Sequence, residues 1–133
     1  MMALDTNVLV RFLVKDDDKQ AALVYQLFKQ SEEQQDVFFV PLLVILETIW
    51  VLQSAYDVPD EDIVSAINQL LLMPILKLEG HPAIQGFIAS FREVKLDLAD
   101  LLIAHVARSC GCEQVLTFDR KAAAFKHFQL LVR

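Results

Sequence analysis

The sequence predicts an α/β fold: a short, largely parallel central sheet with helices on both faces, three layers in the order α/β/α. Three observations predict it. Short β-rich apolar runs are separated by longer stretches whose apolar residues keep helical spacing. The run Val37-Phe38-Phe39-Val40 is apolar at every position, as a central strand of a parallel sheet requires. No repeat, linker or low-complexity segment interrupts the alternation. The 133 residues therefore read as a single domain, 1–133, long enough to bury a real core.

Residues 2–4 read as the first strand. Residues 8–14 are apolar nearly all round and predict a buried helix that begins near Asn7. Lys15-Asp16-Asp17-Asp18 is a polar break whose acids suit the cap of the next helix, carried by Ala21, Ala22, Leu23, Leu27 and Phe28 to about Ser31. These acids face solvent, with no apolar frame to hold a metal. After the strand at 37–40, Pro41 suits the first turn of a helix from about Leu42 to Tyr56. Pro59 opens a packing helix from Asp60 to about Leu72, Pro74 ends it, and a short strand follows at 75–78. Pro82 starts a helix with Ile84, Phe87, Ile88 and Phe91 on one face, and the isolated His81 reads as structural. Asp97 suits the N-cap of the following helix and places Asp100 at its third position, while His105 reads as a core or edge histidine. Beyond the break at Gly111 come a strand at 114–117, a short helix at 121–125 and a last strand at 128–132.

Composition narrows the class. More than half of the chain is apolar (55%), with charge dispersed, which excludes a disordered tail protein. No charge-free apolar run reaches the roughly eighteen residues of a membrane span, and Glu47 interrupts the best candidate. The start lacks the basic flank of a signal peptide. Cys110 and Cys112 form a C-x-C pair without further cysteines, so neither a disulfide framework nor a cysteine zinc site is supported. The expectation is a reduced, cytoplasmic protein with no membrane segment. A net charge of −6 has the wrong sign for binding nucleic acid through bulk electrostatics. It suits a basic protein partner, and it weighs less where carboxylates gather around a metal.

The acids carry the chemistry. Asp5 lies between Leu4 and the apolar residues from Val8 onward, so its carboxylate is expected to be kept from bulk water and to need donors or a cation. Thr6, Asn7 and the free N–H groups of the helix start supply donors, although helix capping accounts for Asp5 equally well. Glu47 sits mid-helix among Val44, Ile45, Leu46, Ile49, Trp50, Val51 and Leu52, with little expected surface for water. A salt bridge is the structural alternative there. Asp97 and Asp100 share one face at the positive end of their helix. Capping explains Asp97 but explains Asp100, set among leucines and alanines, less well. Asp119 follows a strand, and capping explains it strongly. In open α/β sheets, chemistry collects at the carboxyl ends of strands. Unpaired acids gathered there would repel one another strongly. A hard divalent cation, Mg²⁺ or Mn²⁺, resolves the repulsion with oxygen ligands.

Four stretches carry a resemblance: Ala3-Leu4-Asp5-Thr6-Asn7-Val8-Leu9-Val10-Arg11, Leu46-Glu47-Thr48-Ile49-Trp50-Val51-Leu52, Asp97-Leu98-Ala99-Asp100-Leu101-Leu102-Ile103-Ala104 and Leu116-Thr117-Phe118-Asp119. In order and in register, they resemble the four acidic motifs of PIN-domain ribonucleases, and among those the chain is most similar to the VapC toxins of bacterial toxin–antitoxin pairs. The resemblance implies a PIN-like fold and an endonuclease cutting single-stranded or looped RNA with Mg²⁺ or Mn²⁺. It implies that Asp5, Glu47 and Asp100 are the core metal-binding acids, that Asp119 is the fourth, and that Asp97 assists. Thr6, Asn7 and Thr117 are then hydrogen-bond donors to the ligating carboxylates, and Arg11 and Arg120 are candidates for phosphate contacts or plain surface cations. A homodimer and a cognate antitoxin that blocks the site are also implied.

The expected chemistry is in-line attack by a metal-activated water on an RNA phosphodiester, with Asp5 and Asp100 holding the metal and Glu47 as ligand or base. The alternative from another class is a non-catalytic PIN-fold module binding RNA or protein, against which the intact acids argue. A phosphatase with Asp5 as covalent nucleophile is disfavoured because Asn7 stands where a second Asp is usual. With three glycines in the chain there is no Gly-rich turn for a dinucleotide.

Overall fold

The computed structural model describes residues 1–132. Its elements run β1 (Met2–Ala3), α1 (Thr6–Val14), α2 (Asp18–Gln34), β2 (Phe38–Val40), α3 (Leu42–Ser54), α4 (Asp60–Leu72), β3 (Leu76–Leu78), α5 (His81–Phe91), α6 (Leu98–Ser109), β4 (Val115–Thr117), a 3-10 turn (Ala122–Ala124) and β5 (Phe128–Leu130). The alternation read from the sequence is observed, and every strand pairing is parallel, an α/β fold with short parallel sheets. The chain divides into two compact units, Met1–Glu79 and Gly80–Arg133.

In the first unit the sheet order is β1-β2-β3, so the all-apolar run forms the central strand as expected. Its register sets Met2 and Leu76 on either side of Phe38, and Leu78 beside Val40. The Leu4 N–H donates to the Phe39 carbonyl at 2.9 Å, which pins the residue before Asp5 to the sheet. Helix α1 buries Leu9 and Val10 and packs on α2 and α3. Phe28 of α2 bridges Phe12, 5.0 Å away between ring centres, and Phe38, 6.0 Å away. Ile45, Ile49, Ile63 and Ile67 are almost wholly buried, each contributing about 1.5–3 kcal/mol.

Two helices run beyond their expected limits. Helix α1 begins at Thr6 because Asp5, in extended conformation, caps it. Helix α2 continues past Ser31 through Glu32, Glu33 and Gln34, which are good helix formers without an apolar pattern. It closes at Gln35, whose left-handed backbone lets its N–H meet the last carbonyls.

In the second unit α5 packs along α6 over Ile84, Phe87, Leu98 and Leu101. Ser90 and the His105 Nε2 lie 2.7 Å apart, joining the two helices. Gly111, at φ +90, supplies the turn that ends α6. Strands β4 and β5 pair with Val115 beside Phe128 and Thr117 beside Leu130. The short helix expected at 121–125 is the 3-10 turn, since too few residues separate Asp119 from β5 for a full helix.

Candidate metal centre

In the first unit, Asp5 Oδ1 accepts from the Thr6 N–H at 2.8 Å, the capping role that was one of its two readings. Its expected shielding from water is not observed, because Asp5 is exposed. Leu4 and Thr6 on either side turn inward, to 5% and 4% exposure, so the residue between them turns out. Apolar neighbours in sequence thus push Asp5 towards solvent rather than enclosing it. Thr6 helps through its backbone. Its buried hydroxyl has no hydrogen-bond partner among the described residues. Asn7 is exposed on the first turn of α1.

Glu47 requires the same correction. Helix α3 buries Ile45, Thr48, Ile49 and Leu52 on one face. Its opposite stripe exposes Leu43, Glu47 and Trp50. A helix that is apolar nearly all round gives no periodicity to say which face is covered, and the sequence expectation failed there. The salt bridge offered as an alternative for Glu47 is also absent: among the described residues the one ion pair joins Arg11 to Asp16.

That pair belongs to a clamp. Arg11 Nε donates to Gln20 at 2.6 Å, and one terminal nitrogen lies 3.2 Å from both Asp16 Oδ1 and the Tyr56 hydroxyl. Tyr56 in turn donates to Asp16 Oδ2 at 2.7 Å. The Tyr56 hydrogen bond, with the negative charge of Asp16 and Asp17, holds the Arg11 guanidinium above its ordinary pKa despite some desolvation. Arg11, one of the two candidate phosphate contacts, is already engaged within its own unit. Neighbouring Asp17 caps α2 through the Gln20 N–H at 3.0 Å.

The second unit gathers three of the predicted acids. Asp97 caps α6, its Oδ1 accepting from Ala99 at 2.8 Å and Asp100 at 3.4 Å, which puts Asp100 at the third position as expected. Asp119 Oδ1 accepts from the Lys121 and Ala122 N–H groups at 2.8 and 3.4 Å and so begins the 3-10 turn. Thr117 was expected as a donor; its hydroxyl instead accepts from the Asp119 N–H at 3.0 Å and orients the turn. Arg120 is exposed beside Asp119.

Asp100 itself is half-buried. Burial pushes its carboxyl above the ordinary carboxylate range, and the charges of Asp97 and Asp119 push it the same way. On the same helix Leu98, Leu101 and Leu102 are buried. Carboxylate oxygens are the donors a hard cation takes. Within neither unit do three or more His, Cys, Asp or Glu side chains converge on a single point among the described residues. Among the described residues, no helix is long and apolar enough to cross a membrane.

Sequence reasoning missed the exposure of Trp50 and the part played by Tyr56. An exposed indole carries no local signal in an all-apolar helix, and Tyr56 lies far along the chain from Arg11.

The PIN domain model matches residues 2–128. The chain is also 28% identical over 121 residues to the VapC ribonuclease of Aquifex aeolicus (strain VF5), an alignment covering 91% of this chain and 89% of that protein.

Proposed function

The chain belongs to the PIN domain family, and on that premise we propose that it is a metal-dependent endoribonuclease, the toxin component of a type II toxin–antitoxin pair. The observation that carries this reading is the match of the PIN domain model to residues 2–128, and in the second unit burial, with the charges of Asp97 and Asp119, opposes the ionised form of half-buried Asp100. Carboxylates that disfavour one another's charge are relieved by a cation. We assign Asp5, Glu47, Asp97, Asp100 and Asp119 to hold Mg²⁺ or Mn²⁺. The family match runs across both units, which supports reading residues 1–133 as one three-layer domain.

When bound, the metal supplies acidification of water and neutralisation of charge at the phosphoryl oxygens. The chain's own residues do the rest. Asp97 and Asp119 fix the local backbone through their caps and keep a free oxygen for the metal. Thr6 orients Asp5 by donating its backbone N–H to the carboxylate, and Thr117 orients Asp119 by accepting the Asp119 N–H at its hydroxyl. Exposed Glu47 is free to accept a proton from the attacking water. Arg120 is the phosphate contact. In the hydrolysis a water oxygen bonds to phosphorus, one P–O ester bond breaks and the departing oxygen takes up a proton. RNA is the substrate, a cognate antitoxin the inhibitor, a homodimer the assembly and the cytoplasm the location.

Calorimetric titration of Mn²⁺ into the parent protein, Asp5→Asn and Asp100→Asn tests the assignment, paired with cleavage of single-stranded RNA. Binding and cleavage in the parent, with both lost in each variant, are expected. A parent that binds no Mn²⁺ and cuts no RNA, or an Asp5→Asn variant that cuts at the parent rate, overturns the reading. The first result would leave a non-catalytic module of this fold.

A further inference from the structure

We propose that Glu79 is a positioning residue for Glu47, holding the start of α3 at the carboxyl end of the sheet. This rests on the reading of Glu47 as part of the ribonuclease centre. Helix α3 opens behind Pro41, which gives it no side-chain cap. The cap comes instead from the end of β3, where Glu79 Oε1 accepts from the Leu42 N–H at 2.8 Å. The Glu79 N–H in turn donates to the Val40 carbonyl at 2.9 Å. One residue thus grips the chain on both sides of Pro41 and sets the direction in which α3 leaves β2. Because β1, β2 and β3 are parallel, Glu79 stands at the same end of the sheet as Asp5.

Glu47 has no anchor of its own. Its side chain is exposed and, among the described residues, has neither a hydrogen bond nor an ion pair within its unit. The place of its carboxylate therefore follows from the pose of α3. Glu47 lies about 7.5 Å along the helix axis from Leu42. A tilt of about 8° at the helix start moves it by about 1 Å. A misplacement of that size can cost about a hundredfold in rate. Ile45, Thr48 and Ile49, buried on the inner face of α3, resist part of such a tilt. The effect expected from losing the Glu79 contact is accordingly smaller, about tenfold. A carboxylate is well suited to this task, since the free N–H groups and the dipole of a helix start both favour negative charge.

Three full-length variants test this. Glu79→Ala removes the contact, and because Glu79 is exposed its loss leaves the core intact. Glu79→Gln keeps an accepting oxygen without the charge. Gln53→Ala removes the hydrogen bond from Gln53 to Asp60 towards the far end of α3 and controls for plain loss of stability. Mn²⁺ is titrated calorimetrically into each, cleavage of single-stranded RNA is measured, and exchange of the Leu42 amide is followed by NMR. Glu79→Ala is expected to speed exchange at Leu42, to weaken Mn²⁺ binding about tenfold and to lower kcat more than it raises KM. Glu79→Gln should recover most of each loss, and Gln53→Ala should match the parent in all three. Parent-like Leu42 exchange, Mn²⁺ affinity or kcat in Glu79→Ala overturns the proposal while leaving the ribonuclease reading in place. A Glu79→Gln variant as impaired as Glu79→Ala also overturns it, because the charge and not the cap would then matter. A parent protein that binds no Mn²⁺ and cuts no RNA removes both.

Discussion

Gly86 on α5 lies directly beneath the His105 ring on α6: a methyl group at position 86 would stand 2.5 Å from Nδ1 and 3.0 Å from Cε1. The ring cannot simply swing away. Its Nε2 is held 2.7 Å from the Ser90 hydroxyl, and it packs edge-on to His127 and beside Phe125. A glycine in mid-helix costs about 1 kcal/mol relative to alanine, so ordinary helix propensity favours replacing it. Overpacking opposes the replacement by about 1–3 kcal/mol. Overpacking is expected to win. Gly86→Ala should lower the melting temperature, and the effect should shrink when His105→Ala is combined with it, as a double-mutant cycle by thermal denaturation would measure.

The same histidines set a pH dependence. Burial holds His105 below its ordinary value of 6.5, helped by the positive charge of His127, Arg108 and Lys126. Burial also lowers His127, again with Arg108 and Lys126. Above pH 6.5 both states carry neutral rings and the effect vanishes. As pH falls below 6.5 the unfolded chain takes up protons that the folded rings resist, so stability drops. Thermal melts over about pH 8 to 5.5 should show this loss in the parent. The His105→Gln/His127→Gln double variant should show a flatter profile, and an identical slope in both proteins would refute the assignment.

Asp97 has two separable tasks. Replacing it by alanine removes the cap on α6 and is expected to cost about 1 kcal/mol. Asp97→Asn keeps an accepting oxygen at the cap but removes a charge. It should melt close to the parent while binding Mn²⁺ more weakly, as denaturation and calorimetry on the same samples would reveal.

The two candidate arginines should behave oppositely. Arg11 is tied to Asp16, Gln20 and Tyr56, so Arg11→Ala is expected to lower the melting temperature by a few degrees, with RNA cleavage per folded molecule near the parent level. Arg120 is exposed beside Asp119. Arg120→Ala should melt like the parent and lose about tenfold in kcat/KM, the effect of one charged phosphate contact. Loss of cleavage in a fully folded Arg11→Ala would reverse the assignment.

The sequence by itself determined the order of the elements, the all-apolar central strand, the caps at Asp97 and Asp119, a cap among Asp16 to Asp18, and the four acidic stretches that mark the family. These are local signals: a cap, a strand run or a helical stripe is settled by residues within a few positions of one another. Tertiary structure alone decided which surfaces meet water. Asp5 and Glu47 were expected to be enclosed because their sequence neighbours are apolar, yet both are exposed. Around Asp5 the neighbours point inward, and on α3 only one side of an apolar helix is covered. The engagement of Arg11 by Tyr56 and the close approach of Gly86 to His105 were equally invisible, since each joins elements distant along the chain. Burial is a property of what packs across a face, and a single chain read in order does not say which face that is.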